Sequence, residues 1–165
     1  MKKCLICLIV AIFLAGCSAE QTMETLSDEL VEPAMAPVGK VELSLPETAW
    51  VQSMQESNYD RLYFCDGYTV AVQTVPRGNL EETVQALSGF YPDSLDIMET
   101  VSYGNKRWDW VWTCVGENGD MICRAAVIDD GNYHYCVTVM APAASAGQLE
   151  TEWNNLLGTF MIGQY

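Results

Sequence analysis

From Ile97 to Met140 the chain reads IMETVSYGNKRWDWVWTCVGENGDMICRAAVIDDGNYHYCVTVM. Four runs rich in β-branched and aromatic residues, Ile97–Tyr103, Arg107–Val115, Asp120–Ile128 and Tyr133–Met140, are separated by Gly104-Asn105, Asn118-Gly119 and Asp130-Gly131. Such dipeptides supply the positive φ of two-residue hairpin turns. The stretch therefore predicts a four-stranded antiparallel meander. A two-residue turn sets the register of the strands it joins, and side chains alternate between the two faces along each strand. Trp108, Trp110 and Trp112 accordingly share a face with Ile97, Val101, Cys114, Cys123, Ala125, Val127, His134 and Cys136. The other face holds Arg107, Asp109, Thr113 and Arg124, but also Val111, Val115, Ile122, Ile128, Tyr135, Val137 and Val139. It is too apolar to be fully wet, so the sheet is expected to be covered heavily on one side and partly on the other.

The flanking sequence supplies the cover. Downstream, Ser145 with Gln148 reads as a capping box, and Leu149, Trp153, Leu156, Leu157 and Phe160 fall on one helical stripe that ends at Gly158. Phe160-Met161-Ile162 should dock as a short extended tail. Upstream, Asn79 is placed to cap a short amphipathic helix, Leu80–Ser88, stopped by Gly89 and Pro92. Before it, Arg61–Cys65 and Tyr68–Val75 flank Asp66-Gly67 and predict a hairpin. Trp50–Glu56 reads as a weaker strand, and Val41–Leu45 alternates with period two up to Pro46. The result is an α+β domain over residues 41–165, with an antiparallel sheet built around a carboxy-terminal meander and sandwiched by helices.

At the amino terminus, Lys2 and Lys3 precede an apolar run, Cys4–Ala15, that is too short for a permanent bilayer span. The run ends in Leu14-Ala15-Gly16-Cys17. This resembles the lipobox of bacterial lipoproteins, which implies cleavage after residue 16 and a diacylglycerol on Cys17. Residues 1–16 are then a signal peptide, residues 17–40 a lipidated cysteine with a flexible acidic, Pro-containing linker, and the address is the extracytoplasmic face of a bacterial membrane. A linker of this kind reaches about 25 Å. Within it, Thr22–Val31 could form two helical turns, too few to persist alone in water.

The mature chain would carry six basic against 22 acidic side chains, a formal charge of −16. That balance repels phosphate backbones and excludes nucleic acid as a partner. The acidity reads as colloidal solubility outside the cell, with divalent-cation or cationic-peptide binding as the functional alternative. A monomer is the default. With Cys4 and Cys7 in the leader and Cys17 acylated, Cys65, Cys114, Cys123 and Cys136 remain. Cys114 and Cys123 face each other in the predicted register, in a non-hydrogen-bonded pair with Cα atoms roughly 4.5 Å apart. That lies inside the range a disulfide accepts. A cross-strand disulfide and free core thiols both fit, and Cys65 with Cys136 would be the pair left over.

The order of elements resembles the PsbP-like fold, a group that includes the extrinsic photosystem subunit PsbP, a small nuclear-transport factor and LpqN-type bacterial lipoproteins. Val41–Glu47, Tyr59–Val75, Trp108–Pro142 and Leu149–Ile162 carry the similarity. It implies a helix-sandwiched antiparallel sheet and a role in binding a partner without catalysis. No functional residue of the family can be carried over, because none of these stretches is a chemical motif.

A direct search for chemistry yields little. His134 is the one imidazole, it lies mid-strand, and no Gly-x-Ser-x-Gly elbow or phosphate-binding glycine loop occurs. Cys114, Cys123, Cys136 and His134 are the ligand types of a Cys₃His zinc site, but the Cys-x-x-Cys knuckles are missing and three adjacent strands do not converge on a tetrahedron. The acids of Glu117–Asp120 and Asp129–Asn132 lack calcium-loop spacing and are explained by turn chemistry. No cofactor or metal is assigned. Trp108, Trp110 and Trp112 remain open to two readings, core or a stacking platform for sugars or peptides. The sequence thus points to a lipid-anchored, non-catalytic envelope domain that binds a protein or peptide partner at the cell surface. The alternative is a small-ligand or carbohydrate binder with a Trp-lined pocket, and a metal-binding domain is a minor third reading.

Overall fold

The computed structural model describes residues 38–52 and 61–163. The leader, Cys17, the linker helix Thr22–Val31 and the second half of Trp50–Glu56 lie outside the described residues. Those described belong to one compact unit, Ala36–Tyr165. Its elements run β1 (Lys40–Glu42), β2 (Trp50–Gln52), β3 (Arg61–Phe64), β4 (Thr69–Pro76), α1 (Leu80–Ser88), a 3₁₀ turn (Pro92–Ser94), β5 (Met98–Ser102), β6 (Asn105–Gly116), β7 (Gly119–Asp129), β8 (Tyr133–Pro142), α2 (Ala143–Gly158) and β9 (Met161–Gly163). Seven strands form an antiparallel sheet in the order β2-β3-β4-β8-β7-β6-β5, and β1 pairs with β9 in a separate ribbon.

The hairpin turns of the meander each sit one residue from the predicted place. The first is Tyr103-Gly104, with both φ values positive (49° and 86°). That puts glycine second, where a type I′ turn needs it most. In the second, Gly116 pairs with Gly119, so the turn is Glu117-Asn118 and Gly119 takes the positive φ just after it. The third centres on Gly131-Asn132, with positive φ at Gly131 alone. Here Asp130 Oδ1 accepts from the N–H groups of Asn132 and Tyr133. A one-residue displacement of a turn moves the pairing by two residues, so every side chain keeps its expected face. Partners do change: Cys123 faces Trp112, and Cys114 faces Met121.

Both faces are covered. On one, α2 and the β1–β9 ribbon pack over Val70, Val72, Ile128, Tyr135, Val137 and Val139 through Trp153, Leu156, Leu157 and Phe160. On the other, α1 and the segment after it set Val84, Leu80, Leu87 and Leu95 against the three tryptophans, Cys123, Val127 and Cys136. The expected capping box of α2 is not used. The helix begins at Ala143, Pro142 stands at its N-cap, and Ser145 Oγ donates to the Pro142 carbonyl. Strand β8 runs straight into the helix, leaving no room for a serine-led start.

Polar groups tie the covers down. Arg107 donates to both oxygens of Asp109 (2.7 and 2.8 Å), to the Leu157 carbonyl near the end of α2 (2.9 Å), and lies over the Phe160 ring. Gly39 N–H donates to the Tyr135 hydroxyl, which donates to Asp130. A Cβ on Gly39 would stand 2.6 Å from Ile162 and 2.9 Å from that hydroxyl, so this close approach needs glycine. Arg107→Ala should cost about 3–5 kcal/mol in urea unfolding, because it leaves the buried Asp109 carboxylate with only the longer contact to Arg124, 3.9 Å away. A loss below about 1 kcal/mol would instead mark the pair as an ordinary surface contact.

Candidate functional site

The tryptophans are resolved by burial. Trp108, Trp110 and Trp112 are 7, 2 and 7% exposed, so they form core and not an open stacking face. Trp108 Nε1 donates to Glu99, and Trp110 and Trp112 lie stacked with centroids 6.2 Å apart. Trp112 borders a surface cleft. Trp110→Ala should cost about 3–5 kcal/mol, the range for an emptied aromatic core site. A variant that stays within 1 kcal/mol of the parent but loses sugar binding would restore the ligand-face reading.

His134 is also interior. Its Nδ1 meets Thr83 Oγ1 at 2.7 Å, clamping α1 to β8. Burial lowers its pKa, and Arg77 adds to that, while Asp129 and Asp130 oppose it. The unfolded chain therefore takes the proton first as pH falls through about 6.5, and stability declines with acid until the lower folded value is reached. His134→Gln should flatten that decline where it sets in, below about pH 6.5, as followed by thermal melts. Asp130 behaves separately: burial pushes its pKa up, but the N–H groups of Asn132 and Tyr133 and the Tyr135 hydroxyl outweigh this and hold it low. Its share of acid loss falls in the carboxylate range.

The four described cysteines are thiols. Cys114 and Cys123 are diagonal neighbours, not the directly facing pair of the predicted register, with sulfurs 3.5 Å apart. Burial and the Cys114 thiol push Cys123 up to about 12. The leftover pair does not meet, since Cys65 packs on the α2 side and Cys136 on the α1 side. With His134 turned to Thr83, the zinc quartet is dispersed, and no group of three or more metal-ligating side chains gathers among the described residues.

What the surface offers instead is an edge. Strand β5 ends opposite Asp109, so residues 110–116 of β6 have no strand partner on that side among the described residues. The closing pair of a two-residue turn is hydrogen-bonded, and bonding alternates from there. From Ser102↔Asn105, residues 105, 107 and 109 address β5, and Val111, Thr113 and Val115 aim their N–H and C=O groups to the same side beyond it, where no strand pairs with them among the described residues. Their side chains are exposed too, Val111 at 53% and Val115 at 86%. Clefts flank this edge on both faces of the sheet. One, about 370 Å³, lies among Phe90, Ser94, Leu95, Trp112 and Thr113; the other, about 250 Å³, lies among Arg124, Ala146, Gly147, Glu150 and Trp153. Both reach Val111 and Ile122. Nothing in the sequence advertised this edge, because it exists only where a twelve-residue strand outruns a five-residue neighbour.

Solved structures share this layout. Cyanobacterial PsbP (CyanoP) of Synechocystis sp. PCC 6803 superposes with a TM-score of 0.55 at 9% identity, over 82% of this chain and 99% of that one. The fold is PsbP-like. LpqN of Mycobacterium tuberculosis, a protein involved in cell envelope biogenesis, matches the same PsbP-like sheet with a TM-score of 0.53 at 9% identity, over 78% of this chain and 87% of its own. A protein of Bacteroides thetaiotaomicron VPI-5482 matches at 0.52 and 10% identity, over 75% of this chain and 45% of that one. At such identities the likeness is one of fold. No family model and no curated protein matches the sequence. No helix among the described residues is long and apolar enough to cross a membrane.

Proposed function

We propose that the chain is a lipid-anchored, non-catalytic domain of the bacterial envelope that holds a protein partner by taking up an extended segment of it along β6. The observation that carries this reading is the row of unpaired backbone groups at Val111, Thr113 and Val115 between two clefts. Strand addition uses both features: main-chain bonds supply affinity, and alternate side chains drop into pockets on either face. Natural edges are usually blunted by Lys, Pro or a bulge. This one carries none from Trp110 to Gly116.

Charge narrows the partner. Asp120 lies opposite Val115, Glu117 is in the adjoining turn, Glu150 lines one cleft, and Asp93 and Asp96 flank the Ser94-Leu95 wall of the other. The one cation in these walls, Arg124, is engaged by Asn154 and Asp109. The incoming segment is therefore free of proline and carries Lys or Arg among its side chains. A second copy would bring like carboxylates together, which favours a monomer. The extracytoplasmic setting rests on the lipobox-like Leu14–Cys17, and the fold shared with an envelope protein supports it.

The test uses the full chain in its own host, with a photo-crosslinking residue in place of Val115. A crosslinked partner is expected, and it should disappear when Thr113→Pro is added, since proline blocks an outward N–H without breaking the β7 ladder. A crosslink that survives Thr113→Pro undiminished, or no crosslink at all, overturns strand addition. Cys17→Ser should move the protein from the membrane to the soluble fraction, and retention in the membrane would refute the anchor.

A further inference from the structure

Eight basic residues occur in the sequence, and Lys2 and Lys3 precede Cys17. Of the other six, four are ion-paired: Arg77 with Asp129, Lys106 with Glu99, Arg107 with Asp109, and Arg124 with Asp109. Lys40 and Arg61 make no ion pair among the described residues. Both line the same cleft.

That cleft, about 520 Å³, opens where the chain enters the domain. Its volume is that of a small-molecule site. Val72, buried on β4, sits directly across from Arg61 on β3, and Thr74 follows on the same face. Val38, Gly39, Lys40 and Val41 form the facing wall, held in place by the Gly39–Tyr135 hydrogen bond and the β1–β9 ribbon. No carboxylate is among the lining residues described. The walls thus combine two cations and three valines.

From this we infer that the cleft binds an anion, a carboxylate or phosphate, that carries a short apolar body. Arg61 supplies a planar fork suited to either oxyanion. Lys40 adds a mobile point charge, and the valines take the apolar part. The surrounding negative field makes the pair selective. A cation left unneutralised on so acidic a surface costs little, and an anion is attracted at this place while it is repelled elsewhere. The site is separate from the β6 edge and does not depend on the partner-capture reading.

Titration calorimetry on the mature lipidated protein in neutral detergent tests it, with hexanoate, hexyl phosphate, inorganic phosphate and hexanol as probes. Hexanoate or hexyl phosphate should bind at least about tenfold more tightly than hexanol, about 1.4 kcal/mol. Lys40→Gln with Arg61→Gln should abolish that preference, and Arg61→Lys should keep part of it. Both positions are exposed, so near-ultraviolet dichroism should be unchanged. Vesicles distinguish the source: binding to phosphatidylglycerol over phosphatidylcholine that depends on the same two cations identifies a lipid headgroup, and its absence alongside hexyl phosphate binding identifies a free anion. Equal binding of hexanol and hexanoate, a double variant that binds like the parent, or no binding by any probe overturns the inference.

Discussion

The pairing of β4 with β8 is the contact on which the rest depends. Eight residue pairs, from Thr69↔Met140 to Pro76↔Tyr133, join the amino-terminal hairpin to the far strand of the meander. Without it there are two small sheets, each with half a core. With it, β8 becomes a central strand buried along nearly its whole length, and Val70, Val72, Val137 and Val139 form one apolar floor for α2. The closure spans about sixty residues of chain, so its entropic cost falls on a non-local contact. The reward is burial on both faces at once.

Two-sided burial explains residues that look functional in isolation. Three tryptophans at alternate positions, a lone histidine and a cluster of thiols are what a second core needs when only a nine-residue helix is available to cover it. Large rings fill the distance that α1 cannot. Thr83 and His134 give that short helix a polar anchor inside an otherwise apolar layer. Opposite, the longer α2 is fixed by Arg107, whose charge is balanced by Asp109 before it reaches the Leu157 carbonyl. His134, the tryptophans and Arg107 are thereby engaged in holding the two covers in place, while the β6 edge and the cleft of Lys40 and Arg61 lie at the surface.

Much of the architecture could be read from local signals. Asp66-Gly67, the alternation of Trp108–Trp112 and the Asn79 cap with Gly89 at φ 77° each act within a few residues, and the hairpin, the faces and α1 followed from them. Turn placement failed by one residue, because several glycine-containing dipeptides fit a turn and only strand packing chooses among them. That error left faces intact and changed partners, which is why the cysteine pairing was lost although the cysteine face was right.

By itself the sequence determined the element order, the two-faced character of the sheet and the acidic charge, since these depend on composition and on periods of two and 3.6 residues. Tertiary structure alone decided that β4 meets β8, that β5 stops short and leaves Val111–Val115 unpaired, and that Lys40 and Arg61 share a cleft. Each of these joins residues or strand ends that no local rule relates. Strand length against a neighbour, and the meeting of residues as far apart as Lys40 and Arg61, are settled by which surfaces bury together, and that is a property of the packed chain as a whole.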